Sequence, residues 1–267
     1  MPAAIDRARV AALWPVFAMA ATAQATPAAA RRLVQVMSNV GHKTRAGEPL
    51  ARTALSLMPR PGMTISSGER LAIAGALVIV LLTAFPSVAP LLELRPALLA
   101  QQPWRALTGH LVHINWPHAL INASAWFVVA RLFAPELSGR EQALALATSA
   151  LAIAFSTALW LPQLLWYRGA SGALHGLFFA GSARWLARDI SQPAQRGWRN
   201  WRALWLPLAL FAGGWVKVLA EQPGDASTPY ANWLGAGVVP QAHLVGAITG
   251  TLLGTALWWR ERVRQVQ

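Results

Sequence analysis

The sequence contains no cysteine and few charged residues. Without thiols, disulfide frameworks, thiolate zinc sites and cysteine nucleophiles are excluded. Asp, Glu, Lys and Arg make up only 12% of the 267 residues, whereas 55% are hydrophobic, and soluble domains carry about twice that charged fraction. The 14 tryptophans, 18 prolines and 20 glycines also suit a lipid environment. This composition predicts a membrane protein.

Six apolar runs are long enough to cross a bilayer. Four carry no charge, and the other two each contain one arginine that could reach an interface. The runs are residues 71–92, 118–134 with Arg131, 143–161, 171–187 with Arg184, 203–216 and 243–259. Backbone groups in lipid are satisfied only within helices or closed barrels. We therefore predict an all-α membrane protein, a bundle of six transmembrane helices.

Basic residues are concentrated in alternate connections. Nine precede the first run, five lie between 184 and 202, and three close the chain. By the positive-inside rule, both termini are cytoplasmic. The net charge of +13 therefore indicates topology and attraction to the lipid bilayer, and we expect no nucleic-acid partner.

These patterns divide the chain into three parts. Residues 1–65 form a cytoplasmic extension, residues 66–262 the six-helix domain, and residues 263–267 a short tail. The extension partly resembles a signal peptide, although Asp6 interrupts its basic start. A poorly ordered leader and an amphipathic helix on the membrane surface are the alternatives.

Polar clusters occupy the starts of the second, fourth and sixth predicted helices. His118 and Asn122 lie in the first cluster, Ser171 in the second and His243 in the third. With a cytoplasmic amino terminus, all three helices begin at the outer face of the membrane. The clusters therefore share one leaflet, which indicates a functional site there.

Ser171 and His243 have the chemistry of a nucleophile and its general base. Every Asp and Glu lies outside or at the edge of a predicted span, at positions 6, 48, 69, 93, 136, 141, 189, 221, 225 and 261. The sequence therefore predicts a Ser–His dyad without a carboxylate. The Asn122 amide, the His118 imidazole and the Ser171 backbone N–H are the candidate donors to an oxyanion.

Small residues recur every four positions on two predicted helices. They are Gly172 and Gly176 on the fourth helix and Gly246, Gly250 and Gly254 on the sixth. Such faces let two helices approach closely, as a contact between Ser171 and His243 would require. The same spacing would also suit a transporter or a structural bundle.

Three histidines, His110, His113 and His118, could in principle ligate zinc. The cluster contains no acidic residue, and it lacks the glutamate base of the His-Glu-x-x-His metalloproteases. We therefore expect neither a metal nor another cofactor.

In their order along the chain, these motifs resemble the rhomboid family of intramembrane serine proteases over roughly residues 70–260. The matching residues are Trp104-Arg105, Thr108-Gly109-His110-Leu111-Val112-His113, His118, Asn122, Gly169-Ala170-Ser171-Gly172, Ala242-His243, Gly246 and Gly250. The stretches around Ser171 and His113 are most similar to the rhombosortase branch.

The resemblance implies a six-helix bundle whose water-accessible cavity opens to the outer face. It implies Ser171 as the nucleophile, His243 as the general base, and His118 and Asn122 as the oxyanion residues. Supporting roles would fall to Gly169, Gly172, His113 and His175. His175 stands where many rhomboids carry a tyrosine that stacks on the catalytic imidazole.

The resemblance also implies the substrate class and the location. Rhombosortases process membrane-anchored proteins with small-residue-rich tails that contain Gly-Gly, and the location would be the bacterial inner membrane. The rival hypotheses are a catalytically inactive relative that binds transmembrane segments, and a small transporter or channel.

Overall fold

The computed structural model describes residues 65–191, 201–222 and 239–267, so most of the predicted amino-terminal extension lies outside the described residues. We number the described α-helices in chain order. They are α1 (Ser67–Ala84), α2 (Ala89–Leu92), α3 (Arg105–Thr108), α4 (Trp116–Leu132), α5 (Gly139–Trp160), α6 (Ser171–Ile190), α7 (Trp201–Ala220) and α8 (Pro240–Val266). Short 3-10 helices at Pro86–Val88 and Pro96–Leu98 flank α2.

Within the described ranges, six helices are 17 residues or longer, and each overlaps one predicted apolar run. The predicted end of the first run was wrong, because α1 stops at Ala84 and not at residue 92. Pro86 disfavours the helical conformation at the residue before it, and Phe85 leaves the helix with φ −119° and ψ 75°. At the other end of the chain, α8 continues past residue 262 to Val266.

Two of the described helices, Ser67–Ala84 and Gly139–Trp160, are long and apolar enough to be candidate membrane spans. The apolar part of α7, Leu204–Ala220, is slightly shorter. The other long helices, α4, α6 and α8, carry more polar side chains. Some of these side chains form ion pairs, and others belong to the site described below.

Capping boxes start both candidate spans. The Ser66 hydroxyl accepts the Glu69 backbone N–H of α1, and the Glu69 carboxylate accepts the Ser66 N–H at 2.8 Å. Ser138 and Glu141 repeat this arrangement at the start of α5. Because each box satisfies two otherwise unpaired N–H groups, these sequences fix where the helices begin.

Ion pairs join the helices at the bundle end that contains the starts of α1 and α5. Glu69 of α1 pairs with Arg131 at the end of α4. Arg184 of α6 lies 2.7 Å from Glu141 of α5 and 2.9 Å from Glu261 of α8. These ion pairs connect α1 with α4, and α6 with α5 and α8. The polar clusters predicted from the sequence lie at the opposite end.

Helices α6 and α8 pack with their backbones in close contact. A methyl group added at Gly246, Gly250 or Gly254 would overlap a backbone carbonyl of α6. The overlapped carbonyls belong to Gly172, Gly176 and Ala180, respectively. The close approach predicted from the four-residue glycine spacing is confirmed, and it sets the distance between the starts of the two helices.

The segment before α6 is fastened to the segment after α2. Leu94 and Tyr167 form an isolated antiparallel bridge, with N···O distances of 3.1 and 2.8 Å. Arg168 adds an ion pair of 2.7 Å to the buried carboxylate of Glu93. These contacts hold the chain that leads into Ser171.

Candidate active site

Ser171 is the first residue of α6, and it follows a turn that requires glycine. Gly169 has φ +120°, a conformation that residues with a side chain rarely adopt. A Cβ at this position would also lie 2.6 Å from the His118 ring. Gly169 further donates its N–H to the Gly109 carbonyl at 3.1 Å. The turn before Ser171 therefore packs against His118 on α4 and against Gly109, the residue after α3.

His243 lies in the first turn of α8, beside Ser171. Its Nε2 is 3.0 Å from the Ser171 Oγ, within hydrogen-bond distance. His243 is buried, whereas Ser171 is partly exposed. The structure therefore brings together the two residues predicted as nucleophile and base, 72 positions apart in the chain.

A carboxylate reaches the other ring nitrogen of His243. The Glu221 Oε2 lies 2.9 Å from the His243 Nδ1. The expectation that no carboxylate reaches the pair was wrong, because Glu221 directly follows the last residue of α7 and its side chain turns inward. It is 5% exposed. The available signal was Lys217 four positions earlier, since Lys and Glu at this spacing share a helix face.

His243 and Lys217 together keep the Glu221 carboxylate charged. The Lys217 Nζ lies 2.7 Å from the Glu221 Oε1. Although burial acts to raise the pKa of Glu221, the hydrogen bond from His243 and the charge of Lys217 hold that pKa well below its ordinary value. Glu221 is therefore ionised at neutral pH.

His175 lies one turn after Ser171 and stacks on His243. The ring centroids are 4.2 Å apart and the planes are inclined by 18°. His175 Nδ1 lies 2.7 Å from the Ser171 backbone carbonyl, and its Nε2 lies 3.1 Å from the Lys217 Nζ. This imidazole thus stacks on His243, one of the roles that the family resemblance suggested for position 175.

His118 and Asn122, the predicted oxyanion residues, are both buried on α4. The His118 ring packs against Gly169, two residues before the nucleophile. The Asn122 Nδ2 donates one hydrogen bond to the His118 carbonyl at 2.9 Å. This bond uses one amide hydrogen and orients the amide beside the His118 turn.

His113 supports the turn before Ser171. Burial lowers the pKa of His113 to about 3, so the ring is neutral. Its Nδ1 lies 3.2 Å from the Leu111 carbonyl, and its Nε2 accepts the Ala170 N–H at 3.4 Å. Since the carbonyl can only accept, the hydrogen is on Nδ1. His113 therefore acts on the site through the backbone of the residue before the nucleophile.

Three side chains at this site have the geometry of metal ligands. Ligand atoms of His175, Glu221 and His243 all lie within 4.8 Å of one another. The ammonium of Lys217 lies among them, in contact with both Glu221 and His175. Lys217 therefore already supplies the positive charge that a cation would bring to this group.

The arrangement is suited to acyl transfer. A partly exposed hydroxyl has a base at 3.0 Å, and that base contacts a carboxylate through its second nitrogen. A hydroxyl, a base and a group that orients the base are the elements of nucleophilic catalysis.

A family model described as a rhomboid domain matches residues 100–260, more than half of the chain. The matched range contains Ser171 and His243 as well as the residues that surround them. A search of curated proteins found no match to this chain.

Proposed function

Because the chain belongs to the rhomboid family, we propose that it is an intramembrane serine endopeptidase with Ser171 as nucleophile and His243 as general base. Members of this family are membrane proteins and are generally intramembrane serine proteases. The observation that carries the proposal is the 3.0 Å contact between the Ser171 Oγ and the His243 Nε2.

The proposed reaction proceeds in two steps. Ser171 Oγ attacks the scissile carbonyl carbon while His243 Nε2 takes the hydroxyl proton. The C–N bond then breaks, the proton passes from His243 to the leaving amine, and the acyl group remains on Ser171. Water, activated by His243, hydrolyses the ester and restores the hydroxyl. The partial exposure of Ser171 is consistent with access for that water.

The negative charge that develops on the substrate oxygen requires donors. The Ser171 N–H at the start of α6, the second amide hydrogen of Asn122 and the His118 ring are the proposed groups. Each such donor typically contributes about 3 kcal/mol to transition-state stabilisation. The packing of His118 against Gly169 supports its assignment to this region.

We propose membrane-anchored proteins with small-residue-rich, Gly-Gly-containing tails as substrates, as in the rhombosortase branch. A peptide bond within an intact helix is shielded by its own hydrogen bonds, so the scissile segment must unwind. Glycine and other small residues near the cut facilitate unwinding.

The proposed setting is the bacterial inner membrane, crossed by six helices with both termini cytoplasmic. In this orientation α4, α6 and α8 begin on the outer side, where Ser171, His243 and His118 would lie. The basic residues at 260, 262 and 264 would lie on the cytoplasmic side, in agreement with the positive-inside rule.

A fluorophosphonate probe tests the nucleophile without knowledge of the substrate. We expect the full chain to be labelled, with a bond formed between Ser171 Oγ and phosphorus and fluoride released. Ser171→Ala should abolish labelling, and His243→Ala should lower its rate at least about a hundredfold. Ser182→Ala is the matched control, because Ser182 is a buried serine on the same helix whose hydroxyl donates to the Phe179 carbonyl.

Ser171→Ala and His243→Ala should each abolish cleavage of a co-expressed tail-anchored substrate while the protein still accumulates in the membrane. Persistent labelling of Ser171→Ala would contradict the assigned nucleophile. A wild-type protein that remains unlabelled yet captures transmembrane segments would instead be an inactive binding relative. Unlabelled protein that moves a solute across vesicles would indicate a transporter.

A further inference from the structure

Two charged side chains lie beside the proposed catalytic pair: Glu221 contacts His243, and Lys217 contacts Glu221 and His175. Glu221 is 5% exposed and Lys217 is 35% exposed, and both belong to the end of α7. Burying a carboxylate is costly unless its oxygens are paired. Each oxygen of Glu221 has a partner, Lys217 on one side and His243 on the other.

The partners determine where the hydrogens lie. An ionised carboxylate only accepts, so the hydrogen of neutral His243 is on Nδ1 and the lone pair of Nε2 faces the Ser171 hydroxyl. The Lys217 ammonium only donates, so His175 accepts at Nε2 and donates from Nδ1 to the Ser171 carbonyl. The contacts thus form a closed ring that begins and ends at Ser171.

We propose that Glu221 is the third member of a Ser171–His243–Glu221 triad, held in place by Lys217. This inference rests on the function proposed above and deepens it. Glu221 is a positioning residue that acts through His243. It holds the imidazole in the reactive tautomer, and it stabilises the imidazolium that forms when Ser171 loses its proton, without itself taking that proton.

The charges around His243 make this proposal testable through pH. Among the described residues, the titratable groups near the ring are His118 from α4, His175 from α6, and Lys217 and Glu221 from the end of α7. Removing the negative charge of Glu221 disfavours the protonated imidazole, whereas removing the positive charge of Lys217 favours it. When the rate of Ser171 labelling is plotted against pH, the two changes should therefore shift the acid limb of the profile in opposite directions.

The experiment measures fluorophosphonate labelling of the full-length chain between pH 5 and pH 9, with a chelator present. For Glu221→Gln we expect kinact to fall about tenfold to a thousandfold with KI unchanged within about twofold. The acid limb should move to lower pH by about one unit. Lys217→Met should move it to higher pH by about half a unit. Glu221→Asp should keep the wild-type limb even if kinact falls.

Glu136→Gln is the matched control for loss of a buried, paired carboxylate. The Glu136 side chain is also 5% exposed, and it pairs with Arg188 at 2.7 Å near the other end of α6. We expect this variant to leave the acid limb in place.

Unchanged kinact and an unchanged acid limb in Glu221→Gln would overturn the triad, and so would shifts in the same direction for Glu221→Gln and Lys217→Met. If Glu221→Gln does not accumulate, Lys217→Met and Glu221→Asp decide the question. Failure of the broader proposal is distinguishable, because it would appear as wild-type protein that is not labelled or as labelling that survives in Ser171→Ala.

Discussion

Asn122 is buried one turn after His118 on α4, with one amide hydrogen bonded to the His118 carbonyl. If its second hydrogen stabilises the oxyanion, Asn122→Ala should lower kinact for a fluorophosphonate about tenfold to a thousandfold. KI should stay nearly constant, because an oxyanion donor acts mainly in the transition state.

Ser124→Ala is the control for this substitution, since Ser124 is exposed on the same helix. The oxyanion role would be refuted by a KI that rises as steeply as kinact falls. Asn122 would then be a binding residue.

Among single residues, the sequence predicted the candidate site residues that are polar and lie at the start of an apolar helix. Ser171 and His243 are polar side chains at the starts of otherwise apolar helices, and the structure places them in contact. Glu221 was not predicted, because a carboxylate at a helix end can face either solvent or the bundle. The spacing of Lys217 and Glu221 places both on one face of the chain, and the packing of α7 against α6 and α8 determines where that face points.

At the scale of helices, α6 and α8 pack so closely that there is no space for a side chain at Gly250. Gly250→Ala would place a methyl group against the Gly176 backbone, which cannot move away as a flexible side chain could. We expect a destabilisation of about 1–3 kcal/mol, a fall of about 2–12 °C in Tm, and slower labelling of Ser171 as the two helices separate.

Gly213→Ala on α7 provides the contrasting glycine substitution. An added Cβ there meets no atom within 4 Å, and alanine is the better helix former by about 1 kcal/mol. Its Tm should therefore remain equal to or above that of the wild type. Equal losses of stability in the two variants would show that the α6–α8 contact is not what makes Gly250 necessary.

The approximate positions of the six long helices were predictable because apolar runs in this chain are long. The runs predicted at 71 and 143 begin later than α1 and α5, which start at the Ser66 and Ser138 capping boxes. The end of α1 was predicted too late because the segment stays apolar through Pro86 and Pro90. The helical backbone conformation ends at Ala84, before the first of these prolines. The hydropathy of this segment does not indicate where the helix ends, whereas the positions of the prolines do.

In the described part of the chain, both ends of the bundle carry basic residues. At the end of the bundle that contains the site, Arg95 and Arg168 pair with Glu93, and Lys217 pairs with Glu221. The arginines at 260, 262 and 264 lie on exposed positions near the end of α8. The exposed arginines at the end of α8 agree with the proposed cytoplasmic side, and the pairing of Arg95, Arg168 and Lys217 with buried carboxylates is compatible with the proposed outer side.

The absence of native cysteine makes this orientation directly measurable. Gln101→Cys and Gln265→Cys each add one exposed thiol, the first in the segment before α3 and the second near the end of α8. In right-side-out vesicles, an impermeant maleimide should label Gln101→Cys, and it should label Gln265→Cys only after permeabilisation. The opposite pattern would contradict cytoplasmic termini.

The ring of contacts that leaves Ser171 through His243 and returns through His175 has an evolutionary consequence. Each member dictates the proton position of its neighbour, so a replacement at one place leaves two others with mismatched donors and acceptors. Single substitutions at these positions are therefore expected to be selected against. Among descendants of this gene, positions 175, 217 and 221 should change in concert or remain as they are.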